Sequence, residues 1–368
     1  MDITATDFES IVVKKIPLID LRAPIEFLKG SFPNAVNLPL MNDEERHQVG
    51  ICYKEYGNEK ATELGHRLVS GAIRESRTQS WIDFINSNPE TIVFCFRGGQ
   101  RSQIAQQWIF DKTNRSVQRI EGGYKAFRKY LIDSLSPLNI TSKPLVLTGF
   151  TGSGKTDVIE KYKNAIDLEG LANHRGSSFG GNITEQPTQI NFENNLAYKI
   201  IQHKNQRYRY MLIEDESRNI GRSYLPRDLH DFLKSNKYVL LEVEFEKRIE
   251  NIHREYVIVS QKMYESKFGK TEGLIQWQNN IISSLERIRK RLGNENFIKI
   301  REEFDFDMSS QLNQNEKNGH KAWIELLLKD YYDPMYMYQI EKKQDRIVFK
   351  GSLEAVEGFL SEMESELI

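Results

Sequence analysis

An α/β fold in two successive domains, each built on a parallel sheet, is what this sequence predicts, and three observations predict it. Short apolar runs alternate with helical spacing along most of the chain, as in βαβ units. A proline-bearing, apolar-poor stretch, SLSPLNITSKP (134–144), interrupts that alternation. On each side of it, one apolar run ends in a glycine-rich loop that opens a helix: CFRGGQRS (95–102) and GFTGSGKT (149–156). At 368 residues the chain is too long for a single ordinary core.

In chain order, IPLIDLR (16–22), AVNLPL (35–40) and TIVFCF (91–96) read as buried strands, and residues 61–73 and 102–110 have helical spacing. After the linker, PLVLTGF leads into the second loop and a helix from about Lys155. NAIDLEGLA (164–172), RYMLIEDES (209–217) and KYVLLEVEF (237–245) follow as further strands with helices between them. From about Glu302 the alternation weakens: QLNQNEKNGHK (311–321) reads as loop, then WIELLLKDYYDPMYMYQ (323–339) and a closing strand and helix. The division expected is residues 1–135, a linker at 136–144, a second domain at 145–305 and a C-terminal extension at 306–368. No repeat or low-complexity tract is evident.

Composition sets the class. A hydrophobic content of 39% with 28% charged residues suits a globular protein, and no apolar run approaches the ~20 residues of a membrane span. The start, MDITATDFES, lacks the blocks of a signal peptide, so a cytoplasmic location without membrane contact is expected. Two cysteines, Cys52 and Cys95, make no disulfide framework. A net charge of −1 announces no nucleic-acid partner. Local basic runs at 199–210 and at Arg287, Arg289, Lys290 and Arg291 are the candidates for RNA phosphates, although solvated helix faces have the same composition.

Both loops are suited to anions. Cys95 ends a strand and precedes glycines and a helix, so backbone N–H groups and the helix N-terminus favour its thiolate. Arg97 and Arg101 add positive charge, and Gly98, Gly99, Gln100 and Ser102 complete a bowl for an oxyanion. Cys52 lacks such surroundings and reads as structural. The second loop satisfies GxxxxGK[ST] through Gly149, Gly154, Lys155 and Thr156, with Gly152 and Ser153 between them. Its N–H groups suit a diphosphate, Lys155 the terminal oxygens and Thr156 a Mg²⁺ ion. Acidic residues at neighbouring strand ends are Asp167, Glu169, Glu214, Asp215 and Glu216; Asp215 follows its strand as a Walker B carboxylate does, and is the expected metal partner of Thr156. The glycine-rich stretch 170–181, with His174 and Arg175 after Glu169, has the composition of a substrate-closing loop.

Asp20, Leu21 and Arg22, with Glu26, Gly30, Pro33, Ala35, Asn37, Pro39 and the Cys95 loop, resemble the rhodanese pattern. The second arginine lies six positions after the cysteine, as in the phosphate-accommodating branch of that superfamily, but Phe94 stands where those phosphatases carry histidine. A rhodanese-like domain joined to a P-loop NTPase-like domain, with NLPLMNDEERHQVGICYKEYG, GHRLVSG, CFRGGQRS, GFTGSGKT, DLEGLANHRGSSFG, EDESRNIG and YYDPMY in this order, closely resembles the bacterial tRNA 2-selenouridine synthase family. The region 306–317 matches nothing in that pattern.

The resemblance implies a transferase acting on tRNA that carries wobble 2-thiouridine. Geranyl diphosphate would first alkylate the sulfur, making the thio group a better leaving group and C2 more electrophilic. Selenophosphate, supplied by a selenophosphate synthetase as donor partner, would then deliver selenium. It further implies that Cys95, Arg97 and Arg101 serve selenation and the P-loop serves the diphosphate. Two other classes share the loops: a P-loop kinase or NTPase with a rhodanese-like regulatory module, and a cysteine-based phosphatase.

Overall fold

The computed structural model describes residues 3–314 and 319–365, and the chain divides into two compact units. The first comprises residues 1–140 and 187–206, the second 141–186 and 207–368. The expected linker holds a short turn at Pro137–Asn139, and the first strand of the second unit starts at Lys143.

Among the described residues of the first unit, β1 (Thr4–Ala5), β2 (Leu18–Asp20), β3 (Ala35–Asn37), β4 (Ile92–Phe94) and β5 (Gln118–Ile120) form one sheet in the order β1-β5-β4-β2-β3, every pairing parallel. β2 and β4 are buried on both faces, which explains their continuous apolar sequence. Ile19, Leu21, Trp81, Val93, Cys95 and Trp108 pack into one core, so the nucleophile candidate grows out of the unit's hydrophobic core. The helix Gln189–Asn205, though late in sequence, belongs to this unit: Tyr198 donates to Asn34 (2.8 Å), and Asn194 donates to the Ser31 carbonyl (2.7 Å).

The second unit's sheet contains β6 (Lys143–Gly149), β7 (Ala165–Ile166), β8 (Tyr210–Glu214), β11 (Lys237–Leu241) and β12 (Ile347–Gly351), ordered β12-β11-β6-β8-β7 and parallel throughout. A small hairpin of β9 (Asn219–Ile220) and β10 (Ser223–Tyr224) lies outside it. β6 is the central strand and is buried along nearly its whole length, so the loop that follows emerges at the middle of the sheet's carboxyl edge, where open α/β sheets bind ligands. A second core, around Trp277, Phe304 and Trp323, joins the helices from 245 onward.

The C-terminal part differs from its expected division. The helix Asn294–Gln314 runs through residue 305, and 311–314 are helical rather than loop; residues 315–318 of that segment lie outside the described residues. The closing strand β12 is an integral edge of the P-loop sheet, beside β11, and the helix Leu353–Ser365 packs Val356 and Leu360 into that sheet's core.

Candidate active site

The cysteine loop is shaped by backbone before side chains enter. Gly98 has φ of 63°, and a Cβ there would lie 2.7 Å from the Gly123 nitrogen and the Ile120 carbonyl oxygen, so only glycine lets the loop sit against the turn after β5. Tyr124 and Lys125 N–H groups bind the carbonyls of Cys95 (2.9 Å) and Phe96 (3.0 Å). The loop's carbonyls are thereby turned to the protein, while among the described residues the N–H groups of 96–99 have no backbone acceptor. This is the polarity an anion needs.

Cys95 is buried, and its Sγ lies 3.3 Å from Ser102 Oγ. Ser102 in turn donates to the Gly99 carbonyl (2.9 Å), so its hydroxyl accepts from a thiol or, after rotation, donates to a thiolate. Cys95, Arg97, Gly99, Gln100 and Arg101 all face one cavity of about 770 Å³, while Gly98 and Ser102 support the loop from beneath. Arg97 is exposed at its mouth. Arg101 is already paired, donating to Glu26 at 3.0 Å, with Arg46 on the same carboxylate at 3.2 Å. Burial pushes the Glu26 carboxyl up, but the Arg101 charge and hydrogen bond outweigh it and hold the group below its ordinary range.

A helical hairpin forms one side of this cavity. The helical segment Asp43–Leu68 breaks at Gly57 (φ 81°, ψ −176°). A Cβ on Gly65 would lie 3.8 Å from Val49 Cγ2, whereas a straight helix would separate residues 49 and 65 by roughly 24 Å. The two arms therefore fold back on one another. Gln100 donates to Thr62 (2.8 Å), fixing the returning arm to the cysteine loop.

The P-loop follows β6 as the motif requires. Gly152 and Gly154 have φ of 81° and 79°, and a Cβ on Gly149 would lie 2.8 Å from the Leu241 carbonyl oxygen. Lys155 Nζ donates to the carbonyls of Gly149 (3.0 Å) and Phe150 (3.3 Å), curling over the cradle where a phosphate would lie. Two residues that carry no sequence motif of their own hold the loop from outside: Arg248 donates to the Thr151 carbonyl (2.9 Å) and pairs through two nitrogens with Asp333, and Asn251 donates to the Gly152 carbonyl (2.9 Å). Asp333 lies in YYDPMY, whose Tyr336 ring is 5.8 Å from Lys155 Nζ.

The structure redistributes the acidic residues. Asp215 does not face Thr156: its carboxylate accepts from Thr148 (2.6 Å) and is clamped by Lys234 and Lys343. Burial would raise its pKa, but the two lysines hold it down at about 2. Glu169 is the carboxylate on the P-loop side, accepting from Thr156 Oγ1 at 3.3 Å, with Glu214 and Glu216 beside it. Burial and then the Glu216 charge push Glu169 up to about 8; burial and the charges of Glu169, Asp167 and Glu216 push Glu214 up as well. Glu214 Oε1 is buried without a hydrogen-bond partner. Alternation at a strand end is the signal that separates them: Glu214 and Glu216, two apart, share a side, and Asp215 takes the other.

A divalent cation fits this cluster, since it would replace protons that the crowded carboxyls otherwise retain. Among the described residues no three His, Cys, Asp or Glu side chains are arranged to hold a metal by themselves.

The glycine-rich stretch reaches this cluster through Gly176, where a Cβ would lie 2.2 Å from Glu216 Oε2. Its two named side chains point elsewhere. Arg175 pairs with Glu255 (3.1 Å) and lies 5.3 Å from the Tyr256 ring centre. His174 is half-buried near Gly221, and burial followed by the Arg287 charge lowers its pKa. Arg287 itself donates to the Ser178 carbonyl (2.6 Å), so one member of the basic run is engaged in holding this loop.

An open cysteine loop on one parallel α/β unit and a P-loop on another define a two-domain protein of the rhodanese-plus-P-loop class. Residues 4–130 match the profile of the rhodanese-like domain, and residues 142–367 match that of the tRNA 2-selenouridine synthase AAA domain. The tRNA 2-selenouridine synthase of Sulfurovum sp. (strain NBC37-1) is 50% identical over 358 residues, covering 97% of this chain and 98% of that one. Those of Hydrogenovibrio crunogenus and Shewanella frigidimarina are 48% and 43% identical, covering 97% and 99% of this chain and 98% and 99% of theirs. The chain belongs to the tRNA 2-selenouridine synthase family. No helix among the described residues is long and apolar enough to cross a membrane.

Proposed function

We propose that this protein converts the wobble 2-thiouridine of tRNA into 2-selenouridine in two stages, first as a geranyltransferase and then as a selenotransferase. What supports the selenium product is kinship over nearly the full chain with proteins named for it; the geranyl stage rests on the family resemblance of the sequence motifs and on a P-loop suited to a diphosphate.

In the first stage the P-loop N–H groups and Lys155 hold the diphosphate of geranyl diphosphate. The thiouridine sulfur attacks the allylic carbon, the C–O bond breaks, and diphosphate leaves. Thr156 with Glu169, and Glu214 and Glu216 behind it, would hold Mg²⁺, which supplies charge neutralisation of the departing diphosphate. On this account the P-loop holds a leaving group rather than hydrolysing nucleotide.

In the second stage the N–H groups of Phe96, Arg97 and Gly99, with the Arg97 side chain, hold the phosphate end of selenophosphate beside Cys95. The donor's selenium attacks C2, the C2–S bond breaks, and the geranylthiolate leaves with a proton. Water then cleaves the Se–P bond, releasing phosphate and leaving C2=Se with no net oxidation. Cys95 positions the donor in this sequence. A perselenide on Cys95 would need a two-electron oxidant to form from selenophosphate as well as a thiol to release its selenium, so Cys95 takes no covalent step. tRNA and a selenophosphate synthetase are the partners this chemistry calls for, and a cytoplasmic location would suit it.

The test is to incubate purified protein with 2-thiouridine tRNA, Mg²⁺ and geranyl diphosphate, add selenophosphate afterwards, and weigh the released nucleosides. The S-geranyl nucleoside should appear first and 2-selenouridine second. No mass change at either stage, or rapid ATP turnover without tRNA, defeats the reading.

A further inference from the structure

The cavity over Cys95 is larger than its anion. A volume of about 770 Å³ falls within the ~300–1,000 Å³ typical of sites for organic ligands, whereas a tetrahedral anion on the cysteine loop fills only the floor. The remaining space has an apolar wall: Leu40, Met41, Val69 and Trp108, with the half-buried Val49 and Ile104, face it and belong to or pack against the unit's hydrophobic core. His47, Lys54 and His66 of the helical hairpin line it too, a basic complement suited to RNA phosphates.

The hairpin explains how this space arises. The backbone of the anion bowl comes from β4, its loop and the turn after β5, and residues 43–68 are added on its open side. The break at Gly57 folds the two arms together, the Gln100 to Thr62 hydrogen bond ties the second arm to the loop, and Arg77 clamps the first arm by binding Glu45 (2.7 Å) and the Leu40 carbonyl (2.6 Å). The result is a chamber with one apolar wall that opens beside a thiol.

We propose that this chamber is the subsite for the alkylated nucleoside, with the terpenoid chain on sulfur lying against Val49, Ile104 and Trp108 and C2 of the base held over the cysteine loop. The assignment rests on the two-stage reading above and adds where the leaving group is held. In the displacement already described, the chain departs on its sulfur, so the wall that grips it must adjoin the atom under attack. Val49 and Ile104 are then specificity-determining residues, selecting the alkylated intermediate over unalkylated 2-thiouridine.

The experiment uses the full chain and three anticodon stem-loop RNAs, carrying S-methyl-, S-geranyl- or S-farnesyl-2-thiouridine, with binding read by fluorescence anisotropy without selenophosphate. Wild-type protein should bind the geranyl RNA at least about tenfold more tightly, the discrimination an apolar pocket gives for added hydrocarbon. Val49→Trp and Ile104→Trp fill the chamber and should reduce that ratio to below about threefold; Ile104→Ala enlarges it and should shift preference toward a farnesyl chain. A ratio that both filling variants leave unchanged, with melting curves showing them folded, overturns the subsite. Selenouridine formation in parallel samples reports separately: a wild type that shows the ratio but never makes selenouridine refutes the two-stage reading and leaves the chamber assigned.

Discussion

Replacing Glu169 by glutamine removes one charge from the crowded carboxyl cluster at the P-loop while keeping its shape and its ability to accept from Thr156. Burial, and next the charge of Glu216, push this carboxyl from an ordinary 4.5 to about 8. At 1.36 kcal/mol per pH unit the gap sets a ceiling of ~5 kcal/mol on what ionising Glu169 costs the fold. The group's folded value is raised, so the native state is the one that keeps the proton; its contribution is complete below about pH 4.5 and is lost as pH rises through about 8. Movement of Glu214 and Glu216 away from a charged Glu169 would recover part of that, leaving about half, ~2 kcal/mol. In a domain of this size that is a melting-temperature gain of roughly 4–8 °C for Glu169→Gln near pH 8 and close to none near pH 5. The assay is paired thermal melts of both proteins from pH 5 to pH 9, with and without Mg²⁺ and inorganic diphosphate. Saturating Mg²⁺ and diphosphate should shrink the variant's advantage, because the cation replaces the proton in the wild type. A difference that is the same at every pH refutes the electrostatic account of this cluster.

Two further outcomes follow from single contacts. Asp215→Asn strands Lys234 and Lys343 around a neutral group, and chemical denaturation at pH 7 should show a loss of about 3 kcal/mol. The Asp215 pKa is depressed, so its stabilisation is present above the ordinary 3.8 and disappears as pH falls through about 2; the variant should lack that acid limb. Gly98→Ala combines a φ of 63° with backbone atoms 2.7 Å from the new methyl, and should cost at least ~1–3 kcal/mol and abolish selenation. Wild-type melting temperature and selenation in the Gly98→Ala variant would refute the geometric reason given for that glycine.

Much of this was legible from sequence because anion loops are local. Cys95 to Ser102 and Gly149 to Thr156 fix their own backbone through glycines at positive φ and a following helix, so motif and geometry coincide. Buried parallel strands such as β4, β6, β8 and β11 were equally readable from their unbroken apolar runs. What depends on distant partners was not. Asp215 was expected at the metal, yet Lys234 and Lys343, the latter 128 residues away, capture it. Arg248 and Asn251 hold the P-loop from a helix with no motif of its own. Gly57 reads as one glycine among charged residues; only the approach of Gly65 to Val49 shows that it reverses the chain and creates a chamber. The helix Gln189–Asn205 has unremarkable helical spacing, and nothing local to it specifies that its partners are Ser31 and Asn34.

The central claim is that the two loops divide the two stages, and the most direct measurement is nucleoside mass spectrometry on Cys95→Ala and Lys155→Ala, each given 2-thiouridine tRNA, Mg²⁺, geranyl diphosphate and selenophosphate. Cys95→Ala should accumulate S-geranyl-2-thiouridine and make no 2-selenouridine. Lys155→Ala should leave 2-thiouridine unmodified, yet convert a supplied S-geranyl-2-thiouridine RNA to the selenium product. Loss of both products in Cys95→Ala, or normal geranylation by Lys155→Ala, would contradict the division.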